Sequence, residues 1–380
     1  MKHVFQPVVA VKGADGRSIE VFNRHYFRDL SAYTCVMTRI IDGVEVSSSE
    51  FDVSLAPRGR VSIDVEPVGS YRLEFKQKEE EGFWPRGWVI ADDQIDFTAP
   101  KVDTALCGDF EFGFNPSTGE LVSLKSGGIF KRELLKEPLT LDVWRAPVQN
   151  EPTLRNPWNE LGFRRPKGTL VSFLDDRLQC GKRVVQSVVD YALTGATVRV
   201  STTWEIKNGA AKVRATFVQN GTIRSGHEHV TPARIGFRTV LDRKSLSVEW
   251  LGNGPWENYS DRMSSTFLGT WRMCSSQFFF PYDVPQDCGN RENTYRVKMS
   301  DCRSSITFAA AGAPFAFEVN PYAPETLAEY RHPAELPASG TTFFGIYAKV
   351  RGLGGNSCGP KPLPRDIVTE GAYTLEFVIK

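Results

Sequence analysis

Apolar and polar residues alternate with a period of two along most of this chain, and the amphipathic helices of roughly 10–15 residues that separate parallel strands are missing from the pattern. That commits the backbone to antiparallel sheets, because successive side chains of a strand face opposite sides and each strand buries one of them. From residue 19 to 99 the runs IEVFNRHYF, YTCVMTRIIDG, FDVSL, RVSIDV, YRLEFKQ and WVIADDQIDF are bounded by Asp-Gly and Pro-Arg-Gly turns. Roughly six or seven short strands in about 90 residues predict a small sandwich of immunoglobulin-like kind. Thr98-Ala99-Pro100 then reads as a boundary, since proline cannot donate into a ladder and the pattern restarts beyond it.

Beyond the boundary, FEFGF and LVSL flank Asn115-Pro116-Ser117-Thr118-Gly119 and predict a hairpin. A loop-rich region from 142 to 169 precedes long strands at RVVQSVVDYAL, TVRVSTTWEIK, AKVRATFVQ, RIGFRTVL and SLSVEWLG, with more at SSITFAA, FAFEVN, TTFFGIYAKVRG and AYTLEFVIK. Residues 325–335 form the best short-helix candidate, opening with Glu325 and stopped by Pro333. The expected fold class is all-β, with an N-terminal segment and small sandwich over residues 1–100 and one large antiparallel super-sandwich over 101–380.

Charge and cysteine usage narrow the function. With 46 Lys and Arg against 45 Asp and Glu, no concentrated basic face is expected, so no nucleic-acid partner is expected. No apolar run approaches the roughly 18–20 residues of a membrane-spanning helix, and no membrane partner is expected. The cysteines, at 35, 107, 180, 274, 288, 302 and 358, are odd in number and scattered, without a C-x-x-C pair. They indicate neither a zinc site nor a disulfide framework and favour a reducing compartment. The opening MKHVFQPVVAVKG shows no charged segment followed by an apolar one, so no signal peptide is read there.

The motifs that could carry chemistry are few. GLGGNSCG (352–359) fails the dinucleotide fingerprint, because Ser357 stands at the third glycine position and Pro360, Pro362 and Pro364 prevent a helix from opening there. His227 and His229 would share a strand face, yet a zinc site needs a third protein ligand and none is signposted. GNGPWENYSDR (252–262) offers Glu257 and Asp261 as an acid/base pair. A retaining glycosidase holds its two carboxyl groups about 5–5.5 Å apart across a sugar. Gly252, Gly254 and Pro255 make this stretch a loop, so the four-residue spacing does not align the pair. Both carboxylates are therefore expected to bind loop backbone or the neighbouring Arg262. The aromatic residues Trp144, Trp158, Trp256, Trp271, Phe278, Phe279, Phe280 and Tyr282 either stack on sugars or fill the core, and core packing is expected for most of them.

Taken together, LDVWRAPVQNE (141–151), LGNGPWENYSDR (251–262), PYDVPQDCGNR (281–291), ETLAEYRHPAEL (325–336) and GLGGNSCGP (352–360) resemble, in order and spacing, the C-terminal region of family 2 glycoside hydrolases of the β-galactosidase type. VFQPV near the N-terminus resembles the exit from that family's catalytic barrel. The resemblance implies an immunoglobulin-like domain over 19–99 and a large terminal sandwich of galactose-mutarotase-like kind over 104–380. It also implies that both catalytic glutamates lie on a (β/α)8 barrel of roughly 250 residues, whose βα alternation is not found in this sequence, and that most magnesium and sodium ligands lie outside the region matched here, on the missing domains.

No catalytic residue, metal ligand or cofactor is therefore expected in this chain. Asn356, Ser357 and Cys358 would lie nearest the substrate, with Cys358 about where some relatives carry a sugar-packing tryptophan. Asp287 and Cys288 replace the Glu and Asn of the common PQENGNR loop. Trp144, Arg145, Glu257, Asn258, Asp261, Arg262, Gly289 and Asn290 mark the family's loops and are expected to be structural. The implied partners are a barrel-bearing large subunit or the remainder of the same enzyme, a galactoside substrate in the assembly, and further copies in an oligomer. A natural small subunit and a truncated product are both compatible with this. A standalone carbohydrate-binding module and a mutarotase-like sugar epimerase stay open as alternatives, the latter needing a His and a carboxylate that converge on a pocket.

Overall fold

The alternation in the first hundred residues resolves into two antiparallel sheets facing one core. The computed structural model describes residues 2–126, 131–178, 181–226, 228–354 and 362–380. It divides into two units, Met1–Val102 with Ser264–Thr270, and Asp103–Met263 with Trp271–Lys380.

In the first unit, Ser18–Asn23 pairs on one side with Val8–Lys12 and on the other with Arg60–Asp64. The second sheet runs in the order Val44–Asp52, Tyr33–Ile41, Ser70–Gln77, Val89–Asp96. Alternate residues of the two sheets, among them Val8, Ala10, Ile19, Val21, Cys35, Leu73, Phe75 and Ile95, make one buried cluster. Two of these strands differ from the sequence reading. Val8–Lys12, which precedes the runs read as strands from residue 19 on, joins the sheet because Val8 and Ala10 face the core in register with Asn23 and Val21. Val44–Asp52, VEVSSSEFD, is an almost wholly exposed edge strand, held mainly by its ladder to Tyr33–Ile41, with Phe51 alone packed against the core.

The second unit packs a five-stranded sheet against a nine-stranded one. The five-stranded order is Thr140–Asp142, Arg234–Leu241, Thr342–Val350, Phe315–Asn320, Asn290–Thr294. The nine-stranded order begins Lys167–Arg177, Arg183–Leu193, Ala196–Lys207, Ala210–Asn220, Ala372–Ile379. It continues Ser305–Ala310, Arg296–Ser300, Ser247–Gly254, Phe267–Cys274, the last belonging to this unit from Trp271 on. Ile235, Phe237, Phe317, Val319, Phe344 and Ile346 point from the smaller sheet into the shared core with Trp204, Phe217 and Trp250. The hairpin expected around residue 117 is present, with Glu111–Phe114 paired to Leu121–Ser126.

The region read as loop-rich contains a helix, Pro152–Glu160, and the start of the long edge strand Lys167–Arg177. Pro157 lies inside the helix and removes one backbone donor from it. Burial of Trp158, whose Nε1 donates to the Thr231 carbonyl (2.9 Å), supplies the tertiary anchor. The helix expected over 325–335 covers Pro324–Glu329 only, and Pro333–Glu335 forms a separate 3-10 turn. Pro333 drives His332 into extended backbone, which separates the two.

The other face of the five-stranded sheet is the unexpected one. Residues that alternate with the core positions, Arg234, Arg238, Glu318, Asn320 and Tyr347, are polar and yet buried. Gly345 faces Arg238 on one neighbouring strand and Glu318 on the other. A Cβ there would stand 1.8 Å from the Tyr347 hydroxyl, so the missing side chain is the space into which that ring folds back.

Candidate functional site

Four sequence-distant loops cover this polar face, and the ionic residues beneath them set their positions. Arg234, from the strand Arg234–Leu241, lies in ion-pair contact with Asp142 (2.9 Å), Asp287 (3.3 Å) and Glu318. Its guanidinium sits 4.7 Å from the Tyr347 ring centroid, and the Tyr347 hydroxyl donates to Asp142 (3.0 Å). The Tyr259 hydroxyl donates to the second oxygen of Asp287 (2.9 Å). Asp287 thus ties the 281–291 loop to the 252–262 loop and to the sheet.

Arg145, fully buried, forks onto Glu151 (2.6 and 3.3 Å) and donates to the carbonyls of Arg351 (2.8 Å) and Gly352 (2.7 Å). Arg351 returns to Glu151 at 3.5 Å. Asp261 meets the same segment from the other side, accepting the backbone N–H groups of Leu353 (3.0 Å) and Gly354 (2.7 Å). Gly352 is required by this close approach, since a Cβ would lie 2.5 Å from the Asp261 carboxyl carbon. The root of the glycine-rich loop is therefore clamped from both sides. Asn356, Ser357 and Cys358 lie outside the described residues, as does His227.

Glu257 accepts from the Arg262 guanidinium, the Tyr282 hydroxyl and the Gly289 N–H (2.9 Å). Asn258 accepts from Glu292 N–H (2.7 Å), and its carbonyl accepts from Asn290 Nδ2 (2.8 Å). Arg145, Glu257, Asn258, Asp261, Arg262, Gly289 and Asn290 are thus brought into one network, while Trp144 packs into the apolar core. Each oxygen of Glu257 and Asp261 accepts a donor from this same chain, so both carboxyl groups hold loop backbone and side chains in place. His229 lies on an exposed two-residue strand, 3.9 Å from Glu370. Among the described residues, no three His, Cys, Asp or Glu side chains converge to hold a metal ion.

Asp142, Glu151, Arg234, Glu292, Glu318, Tyr347 and Arg351 had no role in the sequence reading. For Arg234 and Glu318 the one signal was charge inside otherwise apolar strands, in RIGFR and FAFEVN.

Burial controls the protonation of this network. It pushes the Glu292 carboxyl up to about 7, with Asp261 adding to the shift and Asn290 opposing it. It also raises Asp287 and Glu318, which share the Arg234 guanidinium between them. Burial alone would raise Glu325, yet Arg238 and Arg165 outweigh it and hold that carboxyl near 2.

A carboxyl group whose folded pKa is raised binds more protons folded than unfolded between the two values, so stability falls as pH rises through that window. The second unit is accordingly expected to lose stability from about pH 5 to about pH 8. Glu292→Gln should leave stability at pH 5 unchanged and raise it at pH 8 by on the order of 1–2 kcal/mol, below the full value at about 1.36 kcal/mol per pKa unit because water has partial access. Urea titrations at both pH values read this directly, and an unchanged pH slope in the variant would count against it.

The chain matches two family models, "Beta galactosidase small chain" over residues 107–379 and "Beta-galactosidase, domain 4" over residues 19–98. It is 25% identical to a β-galactosidase of Actinobacillus pleuropneumoniae across 94% of this chain and 37% of that protein. It is 25% identical to a β-galactosidase of Streptococcus thermophilus across 100% and 39%, and 28% identical to one of Lactococcus lactis across 81% and 31%. The chain thus spans less than two fifths of the length of these relatives. A solved galactose mutarotase related enzyme from Lactobacillus acidophilus overlaps 72% of this chain and 94% of its own at 7% identity, with a TM-score of 0.30. With a family model matched from residue 107 to residue 379, the chain belongs to the β-galactosidase small chain family.

Proposed function

We propose that this chain is the non-catalytic part of a retaining β-galactosidase, completing the galactoside pocket and supporting the assembly. The acid/base and nucleophile carboxylates, and the magnesium and sodium sites, would belong to a barrel-bearing polypeptide. The observation that carries this reading is the use of the marker residues. Arg145 and Asp261 hold the root of the glycine-rich loop, and every Glu257 and Asp261 oxygen is engaged within the chain. Such residues shape a pocket wall. They do not supply a pair of free carboxyl groups about 5–5.5 Å apart.

The role of the ionic network is positional. Misplacing a substrate by about 1 Å can cost an enzyme about 100-fold in rate. Clamping Arg351 and Gly352 through their carbonyls and Leu353 and Gly354 through their N–H groups fixes the root from which the loop departs. Asn356, Ser357 and Cys358 follow directly from that clamp in sequence and would form the substrate-facing part.

The purified chain is expected to show no hydrolysis of a chromogenic galactoside, and mixing it with the barrel-bearing polypeptide of the same organism should restore turnover. Hydrolysis by the 380-residue chain alone, in a preparation freed of contaminating enzyme, would overturn the reading. Saturable binding of galactose by the chain alone would favour a carbohydrate-binding module instead.

A further inference from the structure

The first unit carries a cluster of exposed aromatic residues that its own core does not explain. Phe5, Tyr26, Phe27, Phe83, Trp84 and Trp88 all lie in three segments, the N-terminal stretch, the 24–28 turn and the 81–88 turn, with Phe27 and Phe83 98% and 99% exposed. They include every large aromatic side chain of the first unit among the exposed hydrophobic residues described. Apolar surface gathered in this way marks a binding face.

The segments are held in fixed positions. Gln6 is buried, donating to Asp93 (2.9 Å) and accepting from Asp92 N–H (3.1 Å), which fixes Phe5 beside it. Arg24 N–H donates to the Pro7 carbonyl (2.8 Å), joining the 24–28 turn to the N-terminal stretch. Arg28 forks onto Glu81, and Glu81 exchanges both backbone hydrogen bonds with Trp84 (3.0 Å each), which joins the same turn to the third segment. Trp84 and Trp88 lie 5.5 Å apart between ring centroids. The N-terminal stretch and the 24–28 turn enclose an open groove of about 540 Å³. A surface preorganised in this way loses little freedom on binding.

We infer that this aromatic face is the docking surface for the barrel-bearing polypeptide, an inference that rests on the functional reading above. A sugar would need free hydrogen-bonding groups in the groove. Here Arg28 is engaged by Glu81, Gln6 by Asp92 and Asp93, and His25 by the Tyr33 hydroxyl. What stays open is tryptophan, tyrosine and phenylalanine flanked by Arg24 and Arg58, the composition of a protein–protein hot spot. The relatives supply the occupant, because this chain spans only 37–39% of the first two and the larger part of such an enzyme is polypeptide outside this structure.

The test uses the full chain carrying Phe27→Ser, Phe83→Ser and Trp84→Ser together, and a second variant with Phe83→Ser alone, a side chain whose removal cannot disturb the core. Binding to the immobilised barrel-bearing polypeptide of the same organism is measured by interferometry, alongside restored galactosidase activity and thermal unfolding. The triple variant is expected to unfold as the wild type does, to bind at least 100-fold more weakly, and to regain wild-type turnover at saturating concentration. The single variant should weaken binding severalfold.

Binding within twofold of wild type by the triple variant overturns the inference while leaving the functional reading intact. A wild-type chain that neither binds nor restores activity overturns both. Light scattering that shows a dimer of this chain abolished by the substitutions assigns the face to a second copy, and lactose binding abolished by them assigns it to a saccharide. Either outcome overturns the inference.

Discussion

Methionine in place of Arg234 is expected to destabilise the large sandwich by about 3–5 kcal/mol, the cost of removing one partner from a buried ionic cluster. Against a typical domain stability of about 5–15 kcal/mol, that is enough to leave much of the chain unfolded at moderate temperature. The reason is the arrangement around the guanidinium. Asp142, Asp287 and Glu318 all contact it, and none is exposed enough for water to replace it. Methionine fills the volume and packs on the Tyr347 ring while leaving the carboxylates without a cation.

The pH dependence separates this cause from simple loss of packing. Asp287 and Glu318 already titrate above the ordinary carboxylate range because they are buried, and removing Arg234 raises them further. Raised acids make the folded state hold more protons than the unfolded one, so the deficit should be largest near pH 8 and shrink toward pH 5. Urea titration followed through the buried Trp144, Trp158, Trp204 and Trp250, all in the second unit, reads the relevant transition. A variant within 1 kcal/mol of wild type at pH 8 would show that the network contributes little.

The strands of both sandwiches were legible wherever one face is apolar and the other solvated, as in RVVQSVVDYAL and YRLEFKQ, because period-two alternation is the physical signature of that arrangement. Val44–Asp52 was not legible, since a strand held mainly by its ladder, with Phe51 alone on the core, leaves too short an apolar pattern to read. The helix Pro152–Glu160 was hidden by its own prolines and is held by a tryptophan that meets its partner some seventy residues away.

The site divides in the same way. Its loops could be found as ordered motifs, but what joins them could not. Arg234 and Glu318 occupy alternating positions that a solvated-face reading sends to water. They are buried because loops from four distant parts of the chain close over the sheet, a consequence of tertiary packing that local periodicity does not encode. Glu257 and Asp261 illustrate the converse. Their spacing suggested a pair, whereas the fold gives each a separate task, one holding Gly289 and the other Leu353 and Gly354.

That separation makes Asp261→Ala the most direct probe of the proposed pocket-shaping role. The carboxylate is exposed and its loss removes hydrogen bonds to two backbone N–H groups that water can reach, so stability should fall by only about 0.5–1.5 kcal/mol. Arg145 still holds the carbonyls of Arg351 and Gly352 from the opposite side, so those two residues stay fixed while Leu353 and Gly354 are released. In the assembled enzyme the expected result is a fall in kcat/KM for a galactoside of about 10- to 100-fold, since displacing a positioning surface by an ångström costs up to about that much. Asp261→Asn, which keeps one acceptor oxygen, should retain part of the activity. Gly352→Ala should mimic the alanine variant, because its methyl group would push the carboxylate off the two N–H groups it holds. Full activity in Asp261→Ala, assayed with the barrel-bearing polypeptide at saturating concentration, would mean that the clamp stabilises the sandwich without shaping the pocket.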